Sequence, residues 1–340
     1  MKNLITGTIT ALAIGGSLPA TAQTTELSWG EHLPECCSMY AEALKWMVDE
    51  VESRSDGDLT LDVTWGGVLA TVGEVPTAVE TNIVDLGNVV TPYFPDQYVI
   101  NNAIPFFWPQ PKSQAELGNL MLKWHEEYPA FADELTKFNQ RMVSVRPLPP
   151  YGMICTSPIR TLEDFKGKRI RSYGVALPAM IEAVGAVPVG MSDVDAYEAM
   201  SNNILDCSVA DIALVDAFHL DEVANYFIDV PMGASWGHIL VINQDVYAGL
   251  SESQQGILDG MKSDHLDELL RLFAEAETNV REKWINEGTV EIIEFPADVF
   301  LSATMENDNV QSVRNSWKDR AVAAGMPEAD AAAVVADIND

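Results

Sequence analysis

The sequence predicts an α/β fold with two domains, on three observations. Residues 26–90 alternate short β-patterned runs with helical ones in the order β-α-β-α-β, and residues 142–209 repeat that order without repeating the sequence. Such a unit implies a parallel sheet with helices on its faces, because parallel neighbours need a crossover between them. The third observation is a single amphipathic run, Ser251 to Asn286, longer than the helix a small domain accommodates. At 340 residues the chain has room for two cores.

The elements follow in chain order. Glu26 to Gly30 is a short first strand, and Met39 to Ser53 is a helix with Ala41, Leu44, Met47, Val48 and Val51 on its apolar face. Asp58 to Trp65 alternates as a strand until Gly66-Gly67 breaks it; Glu74 to Thr81 is helical and Ile83 to Val90 is a strand. A proline-punctuated stretch follows, in which Phe94, Phe106, Phe107 and Trp108 either line a pocket or pack under a loop. Ser113 to Phe138 reads as a helix and Arg141 to Arg146 as a strand. Pro147, Pro149 and Pro150 then stiffen a passage suited to the first crossing between domains.

In the second unit, Arg169 to Tyr173 is an alternating strand ended by Gly174. Ala176 to Val184 is a helix with Leu177, Met180, Ile181 and Val184 on one face, closed by Gly185. Val187 to Val189 is a strand, Asp193 to Asn202 a helix, and Ile204 to Asp206 opens a third strand. Ile212 to Ala224 is helical, and Tyr226 to Val230 and Ser235 to Ile242 are strands. Ser251 caps the long helix, with Gln254 at the capping-box position, while Gly256 and Gly260 weaken it locally. Thr289 to Glu294 is a strand; Val299 to Ala324 and Glu328 to Ile338 are terminal helices.

With 51 acids against 20 bases, the net charge of −31 argues against nucleic acid and anionic membrane surfaces as partners. Residues 1–22 read as a secretory signal: Lys2, an apolar run, then Ala20-Thr21-Ala22 as the cleavage site. The mature protein is therefore expected to be soluble and exported. An exported compartment permits disulfides. Adjacent Cys36 and Cys37 are poorly placed to bridge each other, whereas Cys155 and Cys207 can bridge within one domain. Four unpaired thiols, or a metal site using His32 beside Cys36-Cys37, are the other readings.

In α/β sheets ligands sit beyond the carboxyl ends of strands, and Arg171 and Tyr173 stand at such an end. An arginine there can hold a carboxylate by two parallel charge-assisted bonds, or else stand at the surface in an ion pair. Trp65, Tyr151 and Trp236, also near strand ends, are candidate walls of the same pocket. Glu31 and Asp193 are candidate negative counterparts to Arg171; otherwise Glu31 is a loop carboxylate and Asp193 a helix cap. An enzyme using Cys155 or Cys207 with His219 or His238 lacks a supporting signature. The chain has no G-x-S-x-G, H-E-x-x-H, P-loop or post-strand G-x-G-x-x-G. Neither a cofactor nor a metal is expected.

The segment Asp164-Phe165-Lys166-Gly167-Lys168-Arg169-Ile170-Arg171 is followed by Gly185-Ala186-Val187-Pro188-Val189-Gly190-Met191, then Tyr197-Glu198-Ala199-Met200 and Asp206. This pattern resembles the solute-binding proteins of TRAP transporters, the tripartite ATP-independent periplasmic transporters of the dicarboxylate-binding DctP type. The resemblance implies a two-lobed periplasmic binding protein with a ligand cleft between lobes and the long helix spanning both. It implies one lobe of residues 23–146 with about 237–265, and another of 147–236 with about 266–340. It implies that Arg171 binds the carboxylate of a small organic acid, which is delivered to a TRAP membrane permease. In the sialic-acid-binding branch a second arginine and an asparagine contact ligand; here those positions resemble Met153 and Ala210, and Cys207 replaces a glycine. The implied solute is thus a smaller or more apolar acid than sialic acid. The alternative is a zwitterion, as in ectoine-binding relatives, with Glu31 and Asp193 as partners. An ABC-type or sensory binding protein, or a secreted enzyme, are further alternatives.

Overall fold

The computed structural model describes residues 24–36 and 38–339, so the signal segment and Cys37 lie outside the described residues. Among the described residues, eleven strands form two sheets. They are β1 (Thr25–Gly30), β2 (Leu59–Thr64), β3 (Leu86–Val89), β4 (Gln140–Pro150), β5 (Gly152–Cys155), β6 (Arg169–Ser172), β7 (Val187–Gly190), β8 (Cys207–Ala210), β9 (Tyr226–Asp229), β10 (Ala234–Asn243) and β11 (Glu291–Glu294). The first sheet has the order β2-β1-β3-β10-β4, the second β11-β9-β5-β8-β6-β7. In the first, β1 is parallel to β2 and β3, while β10 runs antiparallel to β3 and β4. In the second, β6 is parallel to β7 and β8, and β5 runs antiparallel to β8 and β9. Each sheet thus contains the parallel core expected of its β-α-β-α-β unit plus antiparallel strands contributed after a crossing.

The chain crosses between sheets where β4 gives way to β5 at Tyr151, and returns from β9 to β10 through residues 230–233. β4 does not stop at Arg146 but runs through Pro147, Pro149 and Pro150. It is an edge strand paired only with β10, and an edge tolerates residues that lack an N–H. The third connection is the helix Glu252–Glu287, hereafter the long helix, about 54 Å at 1.5 Å per residue. Its capping box is present: Ser251 Oγ accepts from Gln254 N at 3.3 Å and Gln254 Oε1 from Ser251 N at 3.1 Å. Leu258 and Met261 bury with Leu27 and Leu44 of the first lobe. From Leu269 through Phe273 and Val280 to Trp284 it buries with Ile170, Val209 and Phe227 of the second. The molecule is therefore two-lobed, with the long helix packed into both.

Several boundaries differ from the sequence expectation for identifiable reasons. The run 113–138 is two helices, Gln114–Glu127 and Pro129–Thr136, because Pro129 opens a new one. The run 299–324 is likewise two, Ala297–Met305 and Asp308–Ala323, with Asn307 capping the second. A short helix, Gln244–Gly249, precedes the long one. The strand expected from Ile204 begins at Cys207, because Asp206 turns its carboxylate onto Arg169 N, Nε and Nη2 at 2.8, 3.0 and 2.9 Å. Trp317, Met326, Val334 and Ile338 pack with Trp124 and Val145, whereas Phe300 and Val310 pack with Ile170 and Phe227. Phe106, Phe107 and Trp108 are buried, as the packing alternative requires.

Cys155 and Cys207 are directly opposite in the β5–β8 register and form a disulfide. The bond removes both as thiol nucleophiles. Cys36 is free and exposed, and the His32 ring instead faces Glu31, with Nδ1 3.2 Å from Oε1.

Candidate ligand-binding site

Between the lobes lies a cavity whose walls come from both. Leu33, Tyr40, Val90, Tyr93, Leu148, Trp236 and His238 line it from the first-lobe side and the crossing strands. Tyr151, Arg171, Tyr173, Asp193 and Leu214 line it from the second. Its open space is about 20 Å³, roughly what one water needs, so the walls are nearly closed on each other. A larger hollow of about 770 Å³ lies on the first lobe. There Asp259 already pairs with Arg141 and Lys262, both at 3.1 Å, which leaves it poorly suited to recognising an ion.

β6 delivers Arg171 to the cavity. Alternation along the strand buries Ile170 beneath the sheet, and the parallel neighbours β7 and β8 hold the backbone. Arg171 is 2% exposed. Nη1 donates to Val209 O at 3.1 Å, Nε to Met191 O at 3.3 Å and Nη2 to Tyr93 Oη at 3.2 Å, and the group lies 5.1 Å from the Tyr173 ring centre. Among the described residues no carboxylate lies within ion-pair distance of it. Burial works against its charge, but Tyr93, Asp193, Tyr151 and Tyr173 together outweigh it and move its pKa up. Its hydrogen bonds rest on carbonyls and a phenol, and the Asp193 charge is near but not paired with it, so the guanidinium keeps the capacity to take an anion as a direct partner.

Asp193 is half-buried on the same wall and accepts from Ser192 Oγ at 3.0 Å and Val194 N at 3.1 Å. It does not cap the following helix, which starts at Ala196 after Asp195. Burial pushes its pKa up, but the Arg171 guanidinium foremost brings it below the usual carboxylate value. Burial raises the phenol pKa values of Tyr40, Tyr93, Tyr151 and Tyr173, so all four present neutral hydroxyls. Trp236 spends its indole N–H on Thr91 Oγ1 at 3.1 Å and offers the cavity an apolar face.

Of the residues singled out from sequence, the fold brings together Arg171, Tyr173, Asp193, Tyr151 and Trp236. It places Glu31 elsewhere. That carboxylate is buried against Arg146, with Oε2 3.3 Å from Nη1, and is not a free counterpart to Arg171. Trp65 is half-buried against the core around Trp29 and Leu44, away from the cavity. Met153 and Ala210 are buried, 1% exposed each, within β5 and β8, and neither lines the cavity. Sequence reading missed Tyr40 and Tyr93. Tyr40 stands in the first turn of a helix whose apolar stripe was read without it, and Tyr93 lies in a three-residue turn with no periodicity. It also gave His238 no ligand role.

Comparison with known proteins settles the ancestry. The model of the bacterial extracellular solute-binding proteins of family 7, DctP, matches residues 30–308. The chain belongs to this family. A curated relative, the outer membrane transporter protein TsaT of Comamonas testosteroni, is 22% identical over 287 residues, covering 82% of each chain. Among solved structures, the DctP-family chain is similar to a TRAP periplasmic solute-binding protein of Bordetella bronchiseptica with bound (R)- and (S)-mandelate. That match has a TM-score of 0.79 and 25% identity, and covers 92% of this chain and 98% of that one. A TRAP solute-binding protein of an unidentified marine microbe, in complex with pyroglutamate, shares the fold at a TM-score of 0.77 and 17% identity, covering 93% and 99%. The TRAP-type fold expected from the pattern between Asp164 and Asp206 is thus the observed one.

Proposed function

We propose that this DctP-family chain is an extracytoplasmic receptor that closes on a small organic acid, holds its carboxylate with Arg171, and delivers it to a TRAP membrane permease. One observation carries the reading: a fully buried arginine, without a carboxylate partner among the described residues, in an aromatic-walled cavity between two lobes. A carboxylate there gains charge-assisted hydrogen bonds in a desolvated site, while Tyr40, Tyr151, Tyr173 and Trp236 exclude water. The ligands bound in the similar structures, mandelate and pyroglutamate, are small acids of this kind. In this reading the walls part to admit the acid and close again around it. Residues 1–22 direct export and are removed, which N-terminal sequencing of the exported protein tests.

The direct test is calorimetry with mandelate and pyroglutamate on the mature chain and on Arg171→Ala. Loss of the arginine should weaken binding by about 2–5 kcal/mol with the fold intact by circular dichroism. Unchanged affinity would remove Arg171 from its role. A second reading, an amine-bearing acid, is favoured by the ionised Asp193 in the same cavity; preferential binding of amino acids or ectoine, lost in Asp193→Asn, would select it. Recovery of every bound acid unchanged after incubation supports a receptor over an enzyme.

A further inference from the structure

Behind the cavity wall lies a buried chain of polar groups that Arg171 does not touch. Glu31 stands at one end. Its Oε1 accepts from Leu33 N at 3.1 Å and from Asn88 Nδ2 at 3.4 Å, and its Oε2 faces Arg146 Nη1 at 3.3 Å. Burial opposes its charge, but Arg146 and His32 hold its pKa far below the usual carboxylate range. An ionised carboxylate accepts hydrogen bonds and donates none, so Asn88 must turn its NH₂ toward Glu31.

The same amide nitrogen lies 3.0 Å from His238 Nδ1. An amide N–H can only donate, so Nδ1 must accept, and in a neutral imidazole the proton is then on Nε2. Burial, with His32 and Arg146 beside it, lowers the His238 pKa to about 3 despite Glu31 and Asp193 nearby. The ring stacks on Tyr40 with centres 5.5 Å apart and lines the cavity, and among the described residues Nε2 has no hydrogen-bond partner.

We propose that His238 is a specificity-determining residue: as a neutral Nε2–H donor it reads a hydroxyl or carbonyl oxygen on the acid held by Arg171, and Glu31 and Asn88 are positioning residues that fix this tautomer. The inference rests on the acid-receptor reading and narrows it. The favoured ligands are hydroxy, oxo or lactam acids. Simple alkanoates leave the donor unmatched. An ammonium at the same place sets N–H against N–H.

Two measurements test it. The first needs neither variant nor ligand: ¹⁵N NMR of the histidine rings in the intact mature chain at neutral pH. The expected His238 pattern is an unprotonated Nδ1 and a protonated Nε2, relaxing toward a tautomer mixture in Asn88→Leu. A protonated Nδ1 in the wild-type chain overturns the proposal. The second is calorimetry with matched pairs, mandelate against phenylacetate and pyroglutamate against cyclopentanecarboxylate. The wild-type chain should favour the oxygen-bearing member of at least one pair by about tenfold. His238→Gln, which keeps an N–H donor, should retain the preference. His238→Phe should lose it while still binding through Arg171. A preference unchanged in His238→Phe overturns this inference and leaves the Arg171 reading standing. Binding of no acid of either pair by the wild-type chain overturns both.

Discussion

Asp211 shows how a single carboxyl couples the fold to pH. It is 1% exposed; Oδ1 accepts from Leu214 N at 2.8 Å as the cap of the helix Ile212–Ala217, and Oδ2 has no partner among the described residues. Burial, with Glu277 adding to it, pushes its pKa up to about 7. The folded chain therefore holds this proton at pH values where the unfolded chain has released it. Stability from this group is greatest below the unfolded value near 3.8 and falls as pH rises toward about 7. Asp211→Asn keeps the cap acceptor and removes the charge. It should raise stability at pH 8 by roughly 2–4 kcal/mol and flatten the decline between pH 4 and 7, read from urea midpoints across that range. An unchanged pH profile would mean Asp211 ionises freely. The same scale shows why the site was only partly legible. Arg171 was visible because a short local segment carries it, and its strand sets its direction. Glu31 was misread because its partner Arg146 lies 115 positions away, and nothing local announces that ion pair.

At the level of elements, periodicity located most strands and the long helix to within a few residues, since alternation and helical spacing record burial directly. It failed where a local rule competed with tertiary context. Prolines read as a strand end in β4, yet the edge position makes them harmless. Continuous helical patterns hid the breaks at Pro129 and Asn307. The β5–β8 pair shows what the second sheet gains from covalent support. Its disulfide spans a separation of 52 residues and ties the strand entering the lobe to the one carrying Val209, whose carbonyl holds Arg171. Replacing both cysteines by alanine should cost about 2–4 kcal/mol of stability in denaturant titrations. A smaller loss would mean the register is held by the ladder and core alone.

For the whole molecule, the charge of −31 is a self-repulsion that the fold must outweigh. Raising NaCl from low ionic strength to about 1 M shortens the screening length from tens of ångströms to about 3 Å. The melting temperature should rise with it, and a fall would show that attractive pairs dominate the surface. The two-lobed outline was legible in the duplicated unit and the overlong helix, but the state of the cleft was not. In that cleft Tyr93, carried by the segment after β3, grips Arg171 of the opposite lobe. On the reading proposed for Arg171, an arriving acid does not enter a waiting mould; it takes over a handshake the protein already makes with itself. Filling the site would then be an exchange of partners, and the threshold for capturing scarce solute would depend on how firmly that handshake is held. Position 93 would in that sense be a dial for sensitivity, adjustable without changing Arg171 itself.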